Sequence, residues 1–268
     1  MIPARKGPRF NRWFSKQAEG RIHKTFGRVY SRGLDGFEAA SREGPILLVS
    51  NHSAWWDSML IIWLVNRPLS LDGYAMMDAK NLRKFPFLGK VGAYGVELDQ
   101  SGDGPEAIAY GADLLDRPGR MVLVYPQGRE RPLNVRPLGF RRGAAVMAAQ
   151  VVAAGGPPLQ VVSLGARYVF GPREAPDVYL AFGPAVTPAV GLDEASIEQE
   201  RRRQEDGVAE QLDLIEGALE APAAAGFDTL YARKPGAVAQ WAERTLVKAV
   251  RGHLKWKGQA IAAPKDQS

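Results

Sequence analysis

Histidine occurs three times in the 268 residues and cysteine not at all. The search for a proton-handling side chain is therefore short. His23 and His253 lie inside basic segments, where a histidine is most simply a surface residue. His52 follows the apolar run Ile46–Ser50, and Asp57 stands five positions on. A strand end is where an α/β sheet presents side chains to ligands. A carboxylate on one ring nitrogen fixes the imidazole tautomer and leaves the other nitrogen free to take a proton. Spacing alone also fits a structural histidine beside an unrelated carboxylate. The lack of cysteine excludes disulfides, thiolate zinc sites and a cysteine nucleophile. The Gly-x-Ser-x-Gly elbow of serine hydrolases is missing too, since Val161-Val162-Ser163-Leu164-Gly165 lacks its first glycine.

The elements that must hold such a pair alternate along the chain. Strands are expected at Ile46–Ser50, Leu71–Met77, Gly95–Leu98, Met121–Tyr125, Leu159–Gly165 and Val178–Phe182. Helices are expected at Ser58–Val65, Pro105–Leu115, Gly143–Ala154 and, as one long amphipathic stretch, over 193–220, with Ile197, Val208, Leu212, Ile215 and Leu219 on its stripe. Short apolar strands separated by helix-length segments predict an α/β layer fold with a largely buried sheet. With 46% hydrophobic and 24% charged residues the chain is an ordinary globular one rather than a disordered one.

Charge is concentrated at the ends. Of the formal net +6, residues 1–33 hold +8 and residues 233–257 hold +6, so the stretch between is acidic at −8. Each basic end also carries large apolar residues at helical spacing: Phe10, Trp13, Phe14, Ile22, Phe26, Val29 and Tyr30 in the first, and Trp241, Leu246, Val247, Val250, Leu254 and Trp256 in the last. Basic amphipathic helices with aromatic residues suit the headgroup layer of a bilayer, although a helix packed on the domain would show the same pattern. No nucleic-acid recognition motif accompanies them, so no nucleic-acid partner is expected. The longest uncharged stretch, Gly143 to Ala166, is broken by Gly155, Gly156, Pro157 and Pro158, and no transmembrane helix is expected. Nor do the first residues contain the apolar core of a signal peptide. The organisation read from these patterns is a basic membrane-surface segment over 1–39, a catalytic domain over 40–190, and C-terminal helices over 191–268.

The run Asn51-His52-Ser53-Ala54-Trp55-Trp56-Asp57 resembles the N-H-x-x-x-x-D signature of the glycerolipid acyltransferase family. Further stretches resemble that family in the same order: Ala79-Lys80 with Phe85-Pro86-Phe87-Leu88-Gly89, then Gly95-Val96-Glu97-Leu98-Asp99, then Tyr125-Pro126-Gln127-Gly128-Arg129 in place of F-P-E-G-T-R, then Phe140-Arg141-Arg142-Gly143-Ala144, and the apolar block Leu159–Leu164, here without the family's proline. The resemblance covers roughly 43–185 and implies a mixed α/β sheet flanked by helices. It also implies transfer of a fatty acyl group from a thioester, acyl-CoA or acyl-carrier protein, to a lipid hydroxyl, without metal or cofactor. His52 would be the general base and Asp57 its orienting partner. Lys80, Asp99, Gln100, Gln127, Gly128, Arg129 and Arg131 would contact substrate, with backbone amides of the Tyr125–Gly128 turn as donors to an anion. The implied location is peripheral, on the cytoplasmic face of a membrane, among its lipids.

Three positions depart from the family pattern. Gln100 stands in place of an arginine, Gln127 in place of a glutamate and Glu130 in place of an arginine. Either neighbouring arginines bind the phosphate of a lysophospholipid acceptor, or the acceptor lacks that phosphate, as a glycolipid or carotenoid glycoside would. A non-catalytic lipid-binding relative and a lipid hydrolase are the remaining readings, and the intact His52 and Asp57 argue against the first of these.

Overall fold

Strand β2, Ile46–Ser50, is buried along its whole length and sits inside an eight-stranded sheet. The structure is a computed structural model that describes residues 1–97, 104–171, 174–220 and 224–234. Asp99, Gln100 and the expected basic helix near 238–257 lie outside the described residues. Residues 1–231 form one compact unit; of a second, 232–268, only the first three residues are described.

Sheet order is β4-β3-β5-β2-β6-β7-β1-β8, with β1 at Arg28–Arg32, β3 at Asp72–Asp78, β4 at Ala93–Val96, β5 at Arg120–Val124, β6 at Gln160–Val169, β7 at Asp177–Phe182 and β8 at Asp228–Ala232. Strands β4, β3, β5, β2 and β6 are mutually parallel, β6 and β7 antiparallel, and β7 and β1 parallel. The sheet is therefore mixed, as expected. Among the described residues seven helices accompany it: α1 Pro8–Thr25, α2 Leu34–Glu43, α3 Trp56–Asn66, α4 Ala79–Lys84, α5 Pro105–Leu114, α6 Gly143–Ala154 and α7 Glu194–Glu220, with a 3₁₀ turn at Pro86–Val91.

Strand alternation sends side chains to two cores. Leu47 and Val49 join Val122 and Val124 beneath α5, α6 and α7. Ile46 and Leu48 join Met121 and Leu123 beneath α1, α2 and α3. A parallel strand covered on both faces has no polar side, which is why β2 reads as an unbroken apolar run. Helix α7 crosses close over β6 because Gly165 has no side chain: a Cβ there would lie 2.9 Å from the backbone of Gln211.

The N-terminal segment differs from its helical reading. Helix α1 stops at Thr25, and Phe26 is already extended. Val29 and Tyr30 belong to β1, pairing with Val178 and Tyr179, and point to opposite faces. Gly27, β-branched Val29 and aromatic Tyr30 favour sheet over a further helical turn. The face α1 buries is made of Asn11, Ser15, Ala18 and Ile22, and Trp13 is left 55% exposed. The expected boundary between residues 39 and 40 falls within α2, and α7 packs on β6 within the same unit.

Candidate active site

His52 sits in the turn between β2 and α3, where the chain leaves the sheet at its carboxyl edge. Its Nδ1 lies 2.9 Å from Asp57 Oδ2, in the first turn of α3. That oxygen also accepts the amides of Ser53 at 2.7 Å and Ala54 at 2.9 Å. The other oxygen, Oδ1, accepts the hydroxyl of Tyr168 from β6. The Asp57 side chain is 2% exposed. A five-residue turn thus folds the carboxylate onto the imidazole, and two backbone amides fix it there. Burial, then the nearby Asp57 charge, pushes the Tyr168 phenol well above its ordinary range, so it remains a donor.

The Tyr125 ring stacks on the imidazole with centroids 4.3 Å apart, and burial raises its phenol as well. Asn51 holds the turn to β6, donating to Ala166 O at 3.0 Å and accepting Ala166 N at 2.8 Å. With Nδ1 engaged by Asp57, the ring's Nε2 is the nitrogen left for substrate. Glu130 Oε1 lies 3.9 Å from it.

A cavity of about 520 Å³ opens from this point between α3 and the sheet. Ile61, Ile62 and Val65 wall one side, Met121 and Leu123 the other, and Leu88 and Val91 of the 3₁₀ turn close it. His52, Gly128, Arg129 and Glu130 line the end near the strand termini. An apolar cleft with a few polar groups at one end is the usual form of a small-molecule site.

The other expected contacts divide. Gly128 and Arg129 line the cavity. Gly128 has φ +70, a backbone conformation that favours glycine. Its amide donates to Tyr125 O at 3.0 Å and so is already engaged within the turn. Lys80 is exposed and does not line the cavity. Arg131 donates its guanidinium to the carbonyls of Pro137 and Leu138. Gln127 is buried away from the cavity: its Oε1 accepts the His52 amide at 2.6 Å and its Nε2 donates to Leu138 O at 3.2 Å.

Gln127 is thus a staple for His52, and Gln127→Leu should release it. The His52 amide would lose its acceptor, while the Leu138 carbonyl keeps Arg131, lowering stability by roughly 1–3 kcal/mol. Urea denaturation checks this; an unchanged midpoint would mean the two bonds contribute nothing net. No local signal marks Tyr168, which lies 111 residues from Asp57 and reaches it only through sheet pairing.

Comparisons with known proteins follow the same line. The family model described as Acyltransferase matches residues 31–165. The crystal structure of the 1-acyl-sn-glycerophosphate (LPA) acyltransferase, PlsC, from Thermotoga maritima is similar with a TM-score of 0.51 and 16% identity, over 75% of this chain and 79% of that one. At that identity the likeness is one of fold. No curated protein matches the chain in sequence.

Proposed function

Because the chain belongs to the acyltransferase family, its matched segment containing the His52–Asp57 turn, we propose that it moves a fatty acyl group from a thioester to the hydroxyl of a lipid acceptor. The observation that carries this reading is the carboxylate-held imidazole at one end of an apolar cavity. In the proposed step His52 Nε2 takes the acceptor hydroxyl's proton as its oxygen bonds to the thioester carbonyl carbon. The carbon–sulfur bond then breaks, and the imidazolium returns the proton to the departing thiolate. One ester and one thiol result. Asp57 holds the ring and stabilises its transient positive charge, and no enzyme nucleophile is needed. Acyl-CoA or acyl-carrier protein is the donor in this reading, with the acyl chain in the cavity.

The test is incubation with a labelled acyl thioester and a total lipid extract, followed by mass analysis. A new labelled ester is expected; unaltered lipids with the thioester intact would contradict the proposal.

Attachment to a membrane surface is part of the same proposal. Phe10, Trp13 and Phe14 of α1 cluster with Phe87, whose ring lies 5.7 Å from Phe14. Trp13, Trp55, Phe85 and Phe87 are all exposed, the last beside cavity-lining Leu88. Cations accompany them: Lys90 lies over Phe10, Arg21 over Trp55 and Lys84 over Phe85. Aromatic rings for the acyl boundary and cations for anionic headgroups thus share one surface. No helix among the described residues is long and apolar enough to cross a membrane. Flotation with anionic liposomes should therefore succeed, weaken at high salt, and fall severalfold on Trp13→Ser with Phe87→Ser. Binding untouched by salt and by both changes would count against it.

A further inference from the structure

Glu130 places its carboxylate beside His52 Nε2, the ring nitrogen that Asp57 does not engage. Its place is set by backbone. The Arg131 amide donates to the His52 carbonyl at 2.8 Å, and the His52 amide donates to Gln127 at 2.6 Å. The segment on both sides of Glu130 is thus pinned to His52. At 3.9 Å from Nε2 its carboxylate makes no direct hydrogen bond to the ring. The gap leaves room for acceptor atoms: one hydroxyl at ordinary hydrogen-bond length, about 2.8 Å, from Nε2, and the hydroxyl on the adjacent carbon facing Oε1.

The charges around that gap point the same way. Among the described residues Arg129 is the one Lys or Arg lining the cavity, whereas Asp78 and Glu130 both line it. Lys80, Arg141 and Arg142 do not line it; Arg142 pairs with Glu194 at 2.5 Å, and Arg131 is engaged by two carbonyls. A phosphate monoester carries about −1.5 to −2 at neutral pH. Such a group would meet two carboxylates and a single arginine, and like charge in a partly dry cleft opposes binding. A carboxylate facing a hydroxyl is, by contrast, a strong acceptor.

We infer that Glu130 selects an uncharged acceptor bearing two adjacent hydroxyls, one handed to His52 and the other donating to Glu130, and disfavours acceptors with a phosphate monoester next to the reacting hydroxyl. The inference rests on the acyl-transfer reading and specifies its acceptor. The proton and acyl steps are unchanged: the hydroxyl at Nε2 becomes the ester, and the one at Glu130 keeps its proton.

The experiment is a competition in mixed micelles with one acyl-CoA. 1-Monoacylglycerol and lysophosphatidate, which differ by the phosphate alone, are supplied at equal concentration, and a long-chain alcohol with a single hydroxyl is assayed separately. The protein should acylate monoacylglycerol at least tenfold faster than lysophosphatidate. Glu130→Gln should lower the monoacylglycerol rate about tenfold more than it lowers the alcohol rate, the loss of one charge-assisted hydrogen bond. Glu130→Arg should shift the ratio toward lysophosphatidate by tenfold or more. Preference of the unaltered protein for lysophosphatidate would overturn the inference, as would a ratio that Glu130→Arg does not move; acyl transfer itself would then still stand. Acylation of none of the three, with the thioester intact, would overturn the acyl-transfer reading and this inference with it.

Discussion

His52→Ala should abolish nearly all acyl transfer, lowering kcat/KM by roughly 10²–10⁴ with the fold retained. Without the ring no group within reach can accept the acceptor's proton, and general-base assistance contributes about that much. Glu130, the neighbouring carboxylate, lies on the far side of the gap and is half-exposed to water. The fold should survive because Asp57 keeps three of its four donors, the amides of Ser53 and Ala54 and the Tyr168 hydroxyl. The lost contact is the stack on Tyr125, partly open to solvent. Steady-state assay together with circular dichroism checks both halves. Near-normal turnover by a folded variant would remove His52 from the mechanism.

Replacing Asp57 should separate its structural work from its chemical work. In Asp57→Ala, four donors lose their acceptor at a site 2% exposed. Unsatisfied buried groups cost about 1–3 kcal/mol each, and with relaxation a loss of roughly 3–5 kcal/mol is expected. That is a large share of an ordinary domain's ~5–15 kcal/mol. In Asp57→Asn the carboxamide oxygen can replace Oδ2 toward the two amides and Nδ1, while its NH₂ donates to a rotated Tyr168 hydroxyl. Stability should then stay within about 1 kcal/mol of the original. Activity should still fall by about 10²–10⁴, because no negative charge remains to stabilise the imidazolium. Urea denaturation and initial rates on both variants provide the check. An Asn variant with near-normal rates would reduce Asp57 to a structural anchor.

The His52–Asp57 pair was legible because its parts are local: strand end, histidine, turn and carboxylate all fall within 46–57. Strands β2 and β5 were legible as nearly unbroken buried apolar runs, and β6 as an apolar run interrupted by Ser163. What escaped depends on distant pairing. β1 was read as the end of a basic helix, since Val29 and Tyr30 also fit a helical spacing; their partnership with β7, some 150 residues on, decides the matter. Helix α2 and strand β8 went unread, the latter half-exposed and so short of apolar signal. Gln127 was taken from the motif as a substrate contact, yet hydrogen bonds to His52 and Leu138 keep it in the interior. The aromatic residues of α1 stand out in the sequence, but only folding brings Phe87 beside Phe14.

The central claim is that His52 activates an acceptor hydroxyl rather than water. It is tested most directly by counting products of one acyl thioester in the presence of acceptor lipid, thiol released against ester formed. The account predicts one new lipid ester for each thiol, with both falling together in His52→Ala. Thiol release matched by free fatty acid, with no ester formed, would contradict it.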